Sequence, residues 1–470
     1  MKKYFYLFAL LLFFSCASKQ HSVMEQAFVK ADSIVSSIKR TQFPDTVFLI
    51  TDFGAVAGDS QALCHENINN AIQACHEAGG GKVVIPNGVF YTGPITLKSN
   101  VNLHLEDDAV LKFSTDQSLY FPAVLTRWEG IDCYNAHPLI YAYEAENIAL
   151  TGKGVIDGQG SNEAWWYMKG GKRTIEGKPT QKEGRARLFA AAENFVPVKE
   201  RIMKPEEALR PSFVSFMNSS SILIEDVTIK NSPFWIIHPI FCQDIIVRGV
   251  TVDSHGPNND GCDPESCKNV LIENCIFNTG DDCIAIKSGR NNDGRYWSIP
   301  SENIVVRGCH MMDGHGGIVI GSEISGGFRN LYLEDCTMDS PNLDRIVRIK
   351  TNSCRGGIIE NVFVRNVKVK ECNEAILRIN LLYEPNEDCN AAFPPTVRNV
   401  NLANITSEKS KYGVIFNGFE ESTNIYDIRI TDCEFNGVSE GSTKITGKNE
   451  NVNFDNLRIN GELVGNHDNF

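Results

Sequence analysis

One pattern repeats along most of the chain. A polar residue, usually asparagine, begins a run of about seven residues in which apolar and polar side chains alternate. From Ser221 onward, successive runs start 23 to 38 residues apart. Short alternating runs are typical of strands. A shortest spacing of 23 residues, to which a variable number of residues is added, indicates a solenoid with loops of unequal length. The runs start at Asn147, Ser221, Asp244, Asn269, Asn303, Asn330, Asn361, Asn399, Asp427 and Asn456.

Each coil is long enough for several short strands and contains neither a helical period nor a leucine-rich consensus. Its apolar positions are rich in Val and Ile, as in buried parallel strands. An apolar residue recurs six residues after each polar start, and equivalent positions should stack in the core. These are Val227, Val250, Cys275, Cys309, Cys336, Val367, Ile405 and Cys433. We predict an all-β fold, a single right-handed parallel β-helix over residues 46–470, with a short N-terminal helix as its cap.

The N-terminus follows two other patterns. Residues 1–16 combine Lys2 and Lys3 with an apolar run that is too short to cross a bilayer and ends at Ser15-Cys16. This resembles a bacterial lipoprotein signal in which Cys16 becomes the lipidated N-terminus, and simple signal cleavage is the alternative. We therefore expect an exported protein, either a periplasmic or an outer-membrane lipoprotein of a Gram-negative bacterium. Its contact with a membrane would be limited to the lipid on Cys16.

Residues 17–45 form a lead-in segment. Its apolar residues recur at alternating steps of four and three, which predicts one apolar helix face lying against the main body. They are Met24, Phe28, Ala31, Val35 and Ile38.

Charge and cysteine content narrow the function. The formal net charge of −13 argues against a nucleic-acid surface, so no nucleic-acid partner is expected. Fifteen cysteines in an exported chain suggest disulfides. Several of them occupy the predicted core positions, however, where a thiol packs as a small apolar group. We expect mostly free, buried thiols.

Four polar clusters lie between Asn258 and Lys350 in chain order: Asn258-Asn259-Asp260, Gly280-Asp281-Asp282, Gly314-His315-Gly316 and Arg348-Ile349-Lys350. Their spacing places them on successive coils, and stacked strands lie about 4.8 Å apart. The clusters should therefore form one patch, with carboxylates at one side and cations at the other. Strict alternation would turn Asp282 inward, so we expect a bend at Thr279-Gly280 that exposes both carboxylates.

The three carboxylates cannot all stay ionised at little cost, so one should keep its proton. A protonated carboxyl group beside ionised ones is what glycoside hydrolysis requires, and Arg348 with Lys350 could hold an acidic sugar.

These four ordered motifs resemble glycoside hydrolase family 28, the polygalacturonases. The stretches Ser232-Pro233-Phe234-Trp235 and Ile286-Lys287-Ser288-Gly289-Arg290-Asn291 resemble its bacterial exo-type branch. The resemblance implies a pectin-lyase-like solenoid, an acidic polysaccharide or oligosaccharide such as pectin or galacturonate oligomers as substrate, and inverting cleavage without metal or cofactor. We expect a monomer. Gly280 and Asn259 depart from the Gln and Thr that are frequent in the family.

The resemblance also implies roles. Asp281 would be the general acid, Asp260 and Asp282 would activate water, and His315 would tune the acid. Arg348 and Lys350 would bind the uronate on the leaving-group side, and Asn258 would orient substrate. Five further residues keep two interpretations each. Lys287 is a second uronate contact or a solvated residue, Trp235 borders the groove or packs in the core, Asp263 binds substrate or is structural, and Trp165 with Trp166 stacks on sugar or anchors an insertion.

Three rival functions remain open. A rhamnogalacturonan or other pectin galacturonidase would belong to the same family. A calcium-dependent pectate lyase shares the architecture but does not use Gly-His-Gly and Arg-Ile-Lys motifs. A non-catalytic polysaccharide-binding β-helix would not require the three aspartates.

Overall fold

The computed structural model describes residues 22–465, in which parallel strands wind into a right-handed β-helix with three sheets. This confirms the predicted fold class. The first sheet stacks the strands that follow the polar starts. They are Val47–Leu49, Gly81–Ile85, Val101–Leu105, Glu146–Gly152, Ser220–Glu225, Gln243–Arg248, Lys268–Glu273, Ser301–Arg307, Phe328–Glu334, Ile358–Val369, Thr396–Ser407, Ile425–Thr431 and Asn449–Asp455.

The second sheet contains shorter strands, and the long strands at Ile358–Val369 and Thr396–Ser407 bend into it from the first. Its own members are Gly88–Thr92, Ala109–Phe113, Val155–Asp157, Thr228–Lys230, Thr251–Ser254, Ile276–Thr279, His310–Asp313, Thr337–Met338, Glu434–Phe435 and Arg458–Ile459. Glu462–Leu463 pairs with the last of these in antiparallel fashion.

The third sheet carries the polar clusters. It begins with Ile95–Thr96, Ile140–Tyr143 and Val214–Met217, and continues through isolated bridges at Ile237 and Cys262. Its later strands are Ile284–Ile286, Gly316–Ile320, Arg345–Lys350, Ala375–Asn380, Ser410–Asn417 and Val438–Thr446. An antiparallel hairpin, Val124–Trp128 with Ile131–Asn135, lies outside the coils.

The polar residue that starts each run marks a corner of the coil. Asn303, for example, has a φ of 59°, and its amide donates to Asn269 Oδ1 at 3.0 Å. Asparagine adopts the left-handed region more readily than other L-residues, which explains its recurrence at this corner. The last start was assigned wrongly, because Asn451 follows Asp427 in register while Asn456 belongs to the next corner and donates to Asp432.

The interior is filled by ladders of equivalent residues. All eight predicted core positions are buried, and Cys309 lies between the thiols of Cys275 and Cys336 in the ladder. Within residues 22–465, twelve cysteines are free and buried, and Cys354 forms a disulfide with Cys389. Cys16 and the rest of the signal segment lie outside the described residues.

Four α-helices occur within residues 22–465 and pack around the coils. Helix α1 (Val23–Ser37) buries Phe28 and Ala31 against the outer face of the first sheet, and α2 (His65–Glu77) closes the N-terminal end of the core. Helices α3 (Gln181–Glu193) and α4 (Asn291–Trp297) belong to insertions beside the third sheet. Short 3₁₀ turns occur at Ile50–Phe53, Gln117–Tyr120, Trp166–Lys169, Gly171–Arg173, Val198–Glu200 and Pro205–Glu207. Among residues 22–465, no helix combines the length and apolarity needed to cross a membrane.

Candidate active site

The third sheet brings the four sequence clusters together. Cys262 bridges to Ile284, Ile284 pairs with Ile318, and Ile318 pairs with Val347, so the clusters lie on four adjacent coils. Ile349 points into the core while Arg348 and Lys350 face the groove, as alternation predicts. The predicted patch is therefore present.

The bend before Asp281 is fixed by backbone packing. A Cβ at Gly280 would lie 2.4 Å from the carbonyl oxygen of Gly256, so a larger residue would require the neighbouring coil to move. Thr279 Oγ1 donates to the carbonyl oxygens of Asp281 and Asp313, at 2.8 and 3.1 Å. Gly280 is thus required by the close approach of two coils, which accounts for its departure from the family pattern.

The expectation that this bend exposes both aspartates is wrong for Asp282. Its side chain is fully buried, with Oδ2 accepting from Lys350 Nζ at 2.7 Å and Oδ1 lying 3.5 Å from Arg348 Nη1. The side chains of Arg348 and Lys350 extend across one intervening coil and place positive charge beside Asp282. Carboxylates and cations are therefore interspersed in the patch, whereas the sequence predicted them on opposite sides of it.

Asp260 lies in a second buried charge cluster, centred on Lys287. The Lys287 ammonium is 3.8 Å from Asp260, 3.4 Å from Asp263 and 3.4 Å from Glu323. The interpretation of Lys287 as a solvated strand residue is therefore wrong. Burial, followed by the nearby charges of Asp281 and Asp263, raises the pKa of Asp260 well above its ordinary value.

Asp281 is the most accessible of the three aspartates, with 20% of its side chain exposed. His315 Nδ1 lies 3.2 Å from Asp281 Oδ1. Burial alone would raise the pKa of Asp281, but the bond to His315 and nearby cations lower it to about 2. The same bond raises the pKa of His315 above 6.5. As the pH rises, Asp281 therefore loses its proton before His315 does, and the last proton of the pair is held on the imidazole.

The remaining sequence-predicted residues support this arrangement. Asn258 Oδ1 accepts from Arg210 at 2.8 Å, while Asn259 is fully buried and holds its own turn through Gly256 and Ser232. Asn259 therefore has a structural role in place of the frequent Thr. Trp235 borders the cavity, and its ring lies 4.3 Å from the Lys287 ammonium. Only 3% of Trp235 is exposed.

The two tryptophans of the long insertion anchor it. Trp165 packs edge-on against Tyr120 with ring centroids 5.4 Å apart, and Trp166 Nε1 donates to the carbonyl oxygen of Ser232 at 2.9 Å. Trp165 is buried, which excludes it as a platform for sugar in this structure.

Arg290 contacts several of the segments that line one side of the cavity. Its guanidinium is 3.2 Å from Glu323, 3.1 Å from Glu384 and 3.8 Å from Glu129 in the hairpin turn. Phe189 of α3 lies under it at 4.3 Å. Four separate segments thus converge on one buried arginine, and together they form a wall of the cavity.

The enclosed space is about 240 Å³ and is more cationic than the chain as a whole. Five carboxylates face it, from Glu129, Asp260, Asp281, Glu323 and Glu384, against seven cationic side chains. The cations are Lys169, Arg185, Lys287, Arg290, Arg345, Arg348 and Lys350. A protein of net charge −13 therefore contains a local site suited to anions.

One family profile matches more than half of the chain. The profile described as "Glycosyl hydrolases family 28" matches residues 199–458, which include all four clusters. The chain belongs to glycosyl hydrolases family 28. This confirms the resemblance read from the motifs.

Relatives of this family 28 chain extend the match beyond the profile. A "Probable polygalacturonase" of Vitis vinifera is 30% identical over 68% of this chain and 60% of its own length. An "Exo-poly-alpha-D-galacturonosidase" of Dickeya chrysanthemi is 25% identical over 92% of this chain and 75% of its own. The crystal structure of a hyperthermoactive exopolygalacturonase from Thermotoga maritima superposes with a TM-score of 0.88, at 42% identity over 93% of this chain and 97% of that one.

Some residues of the site were missed from sequence. Tyr383 lies beside the cations, with its ring 5.6 Å from the Arg348 guanidinium and 5.5 Å from the Lys350 ammonium. Glu129, Arg185 and Glu384 also face the cavity. Glu129 lies in the hairpin turn, Arg185 in α3 and Glu384 in a loop, and none of these segments follows the repeat. The insertions were the available signal.

The three aspartates also lie close enough together to bind a cation. Oxygen atoms of Asp260, Asp281 and Asp282 lie within 4.8 Å of one another, a spacing that a divalent ion could bridge. Lys287 and Lys350 already provide counter-charges to these carboxylates. The charge of the cluster is therefore compensated by the protein itself.

Proposed function

We propose that this family 28 enzyme hydrolyses α-1,4-linked galacturonate in pectin and acts from a chain end. The observation that carries the proposal is a cluster of three aspartates, two of which face a cationic cavity that is bounded on one side by Arg290 and its partners. A wall at this position would stop a polymer from extending past it, which favours attack on a terminal sugar over attack within a long polymer. The names of the Dickeya and Thermotoga relatives support the same substrate and exo action.

In the proposed mechanism, Asp281 protonates the glycosidic oxygen of the leaving sugar. The proton comes from the His315–Asp281 pair, which holds it on the imidazole until substrate binds. When a sugar covers the pair and excludes water, the carboxylic acid form of Asp281 becomes easier to populate. His315 would thus serve as the proton reservoir for the acid.

Asp260 and Asp282 would hold and deprotonate the attacking water. Lys350 and Arg348 hold the Asp282 side chain in place. The raised pKa of Asp260 means that this carboxylate gains its proton first as the pH falls. The base and the acid would therefore fail at opposite ends of the pH range, and activity should follow a bell-shaped profile.

The alkaline side of that profile tests His315. Because Asp281 raises the pKa of His315, the pair keeps its proton to a higher pH than a free imidazole would. We expect His315→Asn to lower kcat by about 10²-fold and to remove the His315-dependent alkaline inflection. The measurement is kcat/KM against pH for both proteins. An unchanged alkaline inflection in the variant would show that another group carries the proton.

Lys350 should contribute to both binding and turnover. We expect Lys350→Gln to raise KM for galacturonate oligomers by about 10- to 100-fold, since a charge-assisted contact to the uronate is lost. Turnover should also fall, because Asp282 loses its 2.7 Å partner. Steady-state kinetics check both effects, with Lys370→Gln as the control at an exposed ion pair 3.6 Å from Asp339. Unchanged affinity in the Lys350 variant would contradict the uronate clamp.

Product sizing tests the proposed function. Homogalacturonan and rhamnogalacturonan are each incubated with the enzyme, and the earliest products are sized. Monogalacturonate released from homogalacturonan from the first minutes is the expected result. Mixed oligomers would contradict exo action, and cleavage of rhamnogalacturonan alone would favour the related galacturonidase.

The proposal extends to export, with Cys16 as the lipid attachment site. Labelling of the expressed protein with a radioactive fatty acid, and its loss in Cys16→Ser, would test the anchor. Release of the unmodified wild-type protein into the medium would contradict it.

A further inference from the structure

Lys169 faces the same cavity as Asp260 and Asp281 but belongs to a different part of the chain. It ends the 3₁₀ turn Trp166–Lys169 in the long insertion at 161–212. Its side chain is exposed to the cavity and to solvent. An incoming substrate can therefore reach its ammonium group.

The charge of Lys169 is uncompensated by the protein. The other six cationic side chains that line the cavity each have a carboxylate within 4.0 Å, as Arg185 has Glu129 and Arg345 has Asp344. In the part of the chain that the structure describes, the Lys169 ammonium has no hydrogen-bond or ion-pair partner. An anionic ligand would gain this contact without first displacing a protein carboxylate.

The turn that carries Lys169 is held firmly. Besides the buried Trp165 and the Trp166 bond to Ser232, Tyr167 is buried and its hydroxyl accepts from Gln117 at 2.9 Å. The backbone of Lys169 is thus presented by an anchored segment. Only the side chain has to be ordered when a ligand binds, which reduces the entropic cost of the contact.

Lys169 approaches the site from the side opposite to Arg348. The turn that carries Lys169 is anchored through Trp166 to Ser232, on the coil whose Ile237 bridges to Cys262 beside Asp260. Arg348 instead lies two coils beyond Ile284, through Ile318 and Val347. The two cations therefore flank the catalytic aspartates along the axis of the β-helix.

We propose that Lys169 binds the carboxylate of the terminal uronate, on the far side of the scissile bond from Arg348 and Lys350. The inference rests on the proposed function and names a residue that sets specificity: Lys169 would favour a terminal sugar with a free carboxylate over one whose carboxylate is methyl-esterified. An ester offers no negative charge to an ammonium group, so the contact is lost without any change in the size of the reacting ring.

The test compares two substrates, digalacturonate and the same disaccharide methyl-esterified only on its non-reducing sugar. For Lys169→Met we expect kcat/KM on the free acid to fall about tenfold, and kcat/KM on the ester to stay at the wild-type value. Lys169→Arg should retain most of the preference for the free acid. Lys172→Met, at another exposed lysine of the insertion that does not line the cavity, is the matched control.

Equal losses on both substrates, or no loss on either, would overturn the role of Lys169. The wild-type protein in the same assay reports on the proposed function separately. If it releases galacturonate while Lys169→Met behaves like wild type, only the specificity inference fails. If it releases none, both fail.

Discussion

Replacing Asp281 by Asn is expected to lower kcat on galacturonate oligomers by about 10³- to 10⁴-fold while KM changes little. The amide has the same shape and can still contact His315, but it cannot deliver a proton to the leaving oxygen. Steady-state kinetics and direct binding of oligomers separate the two effects. Asp253→Asn is the control, since this carboxylate is half-exposed on the second sheet and 3.9 Å from Lys230.

The leaving group distinguishes an acid from a base. An aryl galacturonide whose phenolate leaves without protonation should be hydrolysed by the Asp281 variant at a rate much closer to wild type. Asp260→Asn should lose activity on both kinds of substrate, because the water still needs its base. Full turnover of oligomers by the Asp281 variant would show that Asp281 is not the acid. Rescue of the Asp260 variant by the aryl substrate would assign the role of acid to Asp260.

Replacing Lys287 by Met is expected to lower the free energy of unfolding by about 3–5 kcal/mol at neutral pH. The side chain is 2% exposed, and its loss leaves Asp260 and Asp263 buried without their cation. Urea unfolding monitored by circular dichroism measures the change. Lys268→Met, at an exposed pair 3.0 Å from Glu302, should cost less than about 1 kcal/mol.

The Lys287 effect should depend on pH with a defined sign. The pKa values of Asp260 and Asp263 are already raised in the folded protein, chiefly by burial, and loss of the cation raises them further. Acids with raised folded-state pKa values favour folding at low pH and lose that contribution as the pH rises. The deficit of the variant should therefore be smaller near pH 4 than near pH 7. A deficit independent of pH would indicate lost packing instead of unpaired charge.

The sequence was sufficient for the coils because their corners and core positions recur. Asn269, Asn303 and Asn330 occupy one corner, and the alternation around Ile349 fixed which side chains face the groove. The start at Asn456 was misplaced because each coil has a second corner that also favours asparagine. A one-dimensional pattern does not separate two corners of the same composition.

The interior of the site was less predictable. Strand spacing placed Arg348 and Lys350 beyond His315, but the lengths of their side chains decide that both reach Asp282. The burial of Lys287 depends on Asp263 and Glu323, which lie on different coils. The end wall comes from loops without a repeat, so convergence on Arg290 could not be deduced from periodicity.

The family and the distances between the aspartates point to different stereochemistry of cleavage. Resemblance to the family implies inversion, whereas the aspartate oxygens lie within 4.8 Å of one another. Inverting pairs are usually about 6.5–9.5 Å apart and retaining pairs about 5–5.5 Å. The proposed water between Asp260 and Asp282 needs no covalent intermediate, so inversion is the outcome that the assigned roles require.

Proton NMR of the first minutes of homogalacturonan digestion, with and without a chelator, tests the central claim directly. The account predicts monogalacturonate that appears first as the β-anomer, no vinylic proton signal, and the same rate when the chelator is present. An α-anomer appearing first would contradict the assigned roles of the aspartates. A vinylic signal that disappears with the chelator would identify a calcium-dependent lyase and contradict hydrolysis.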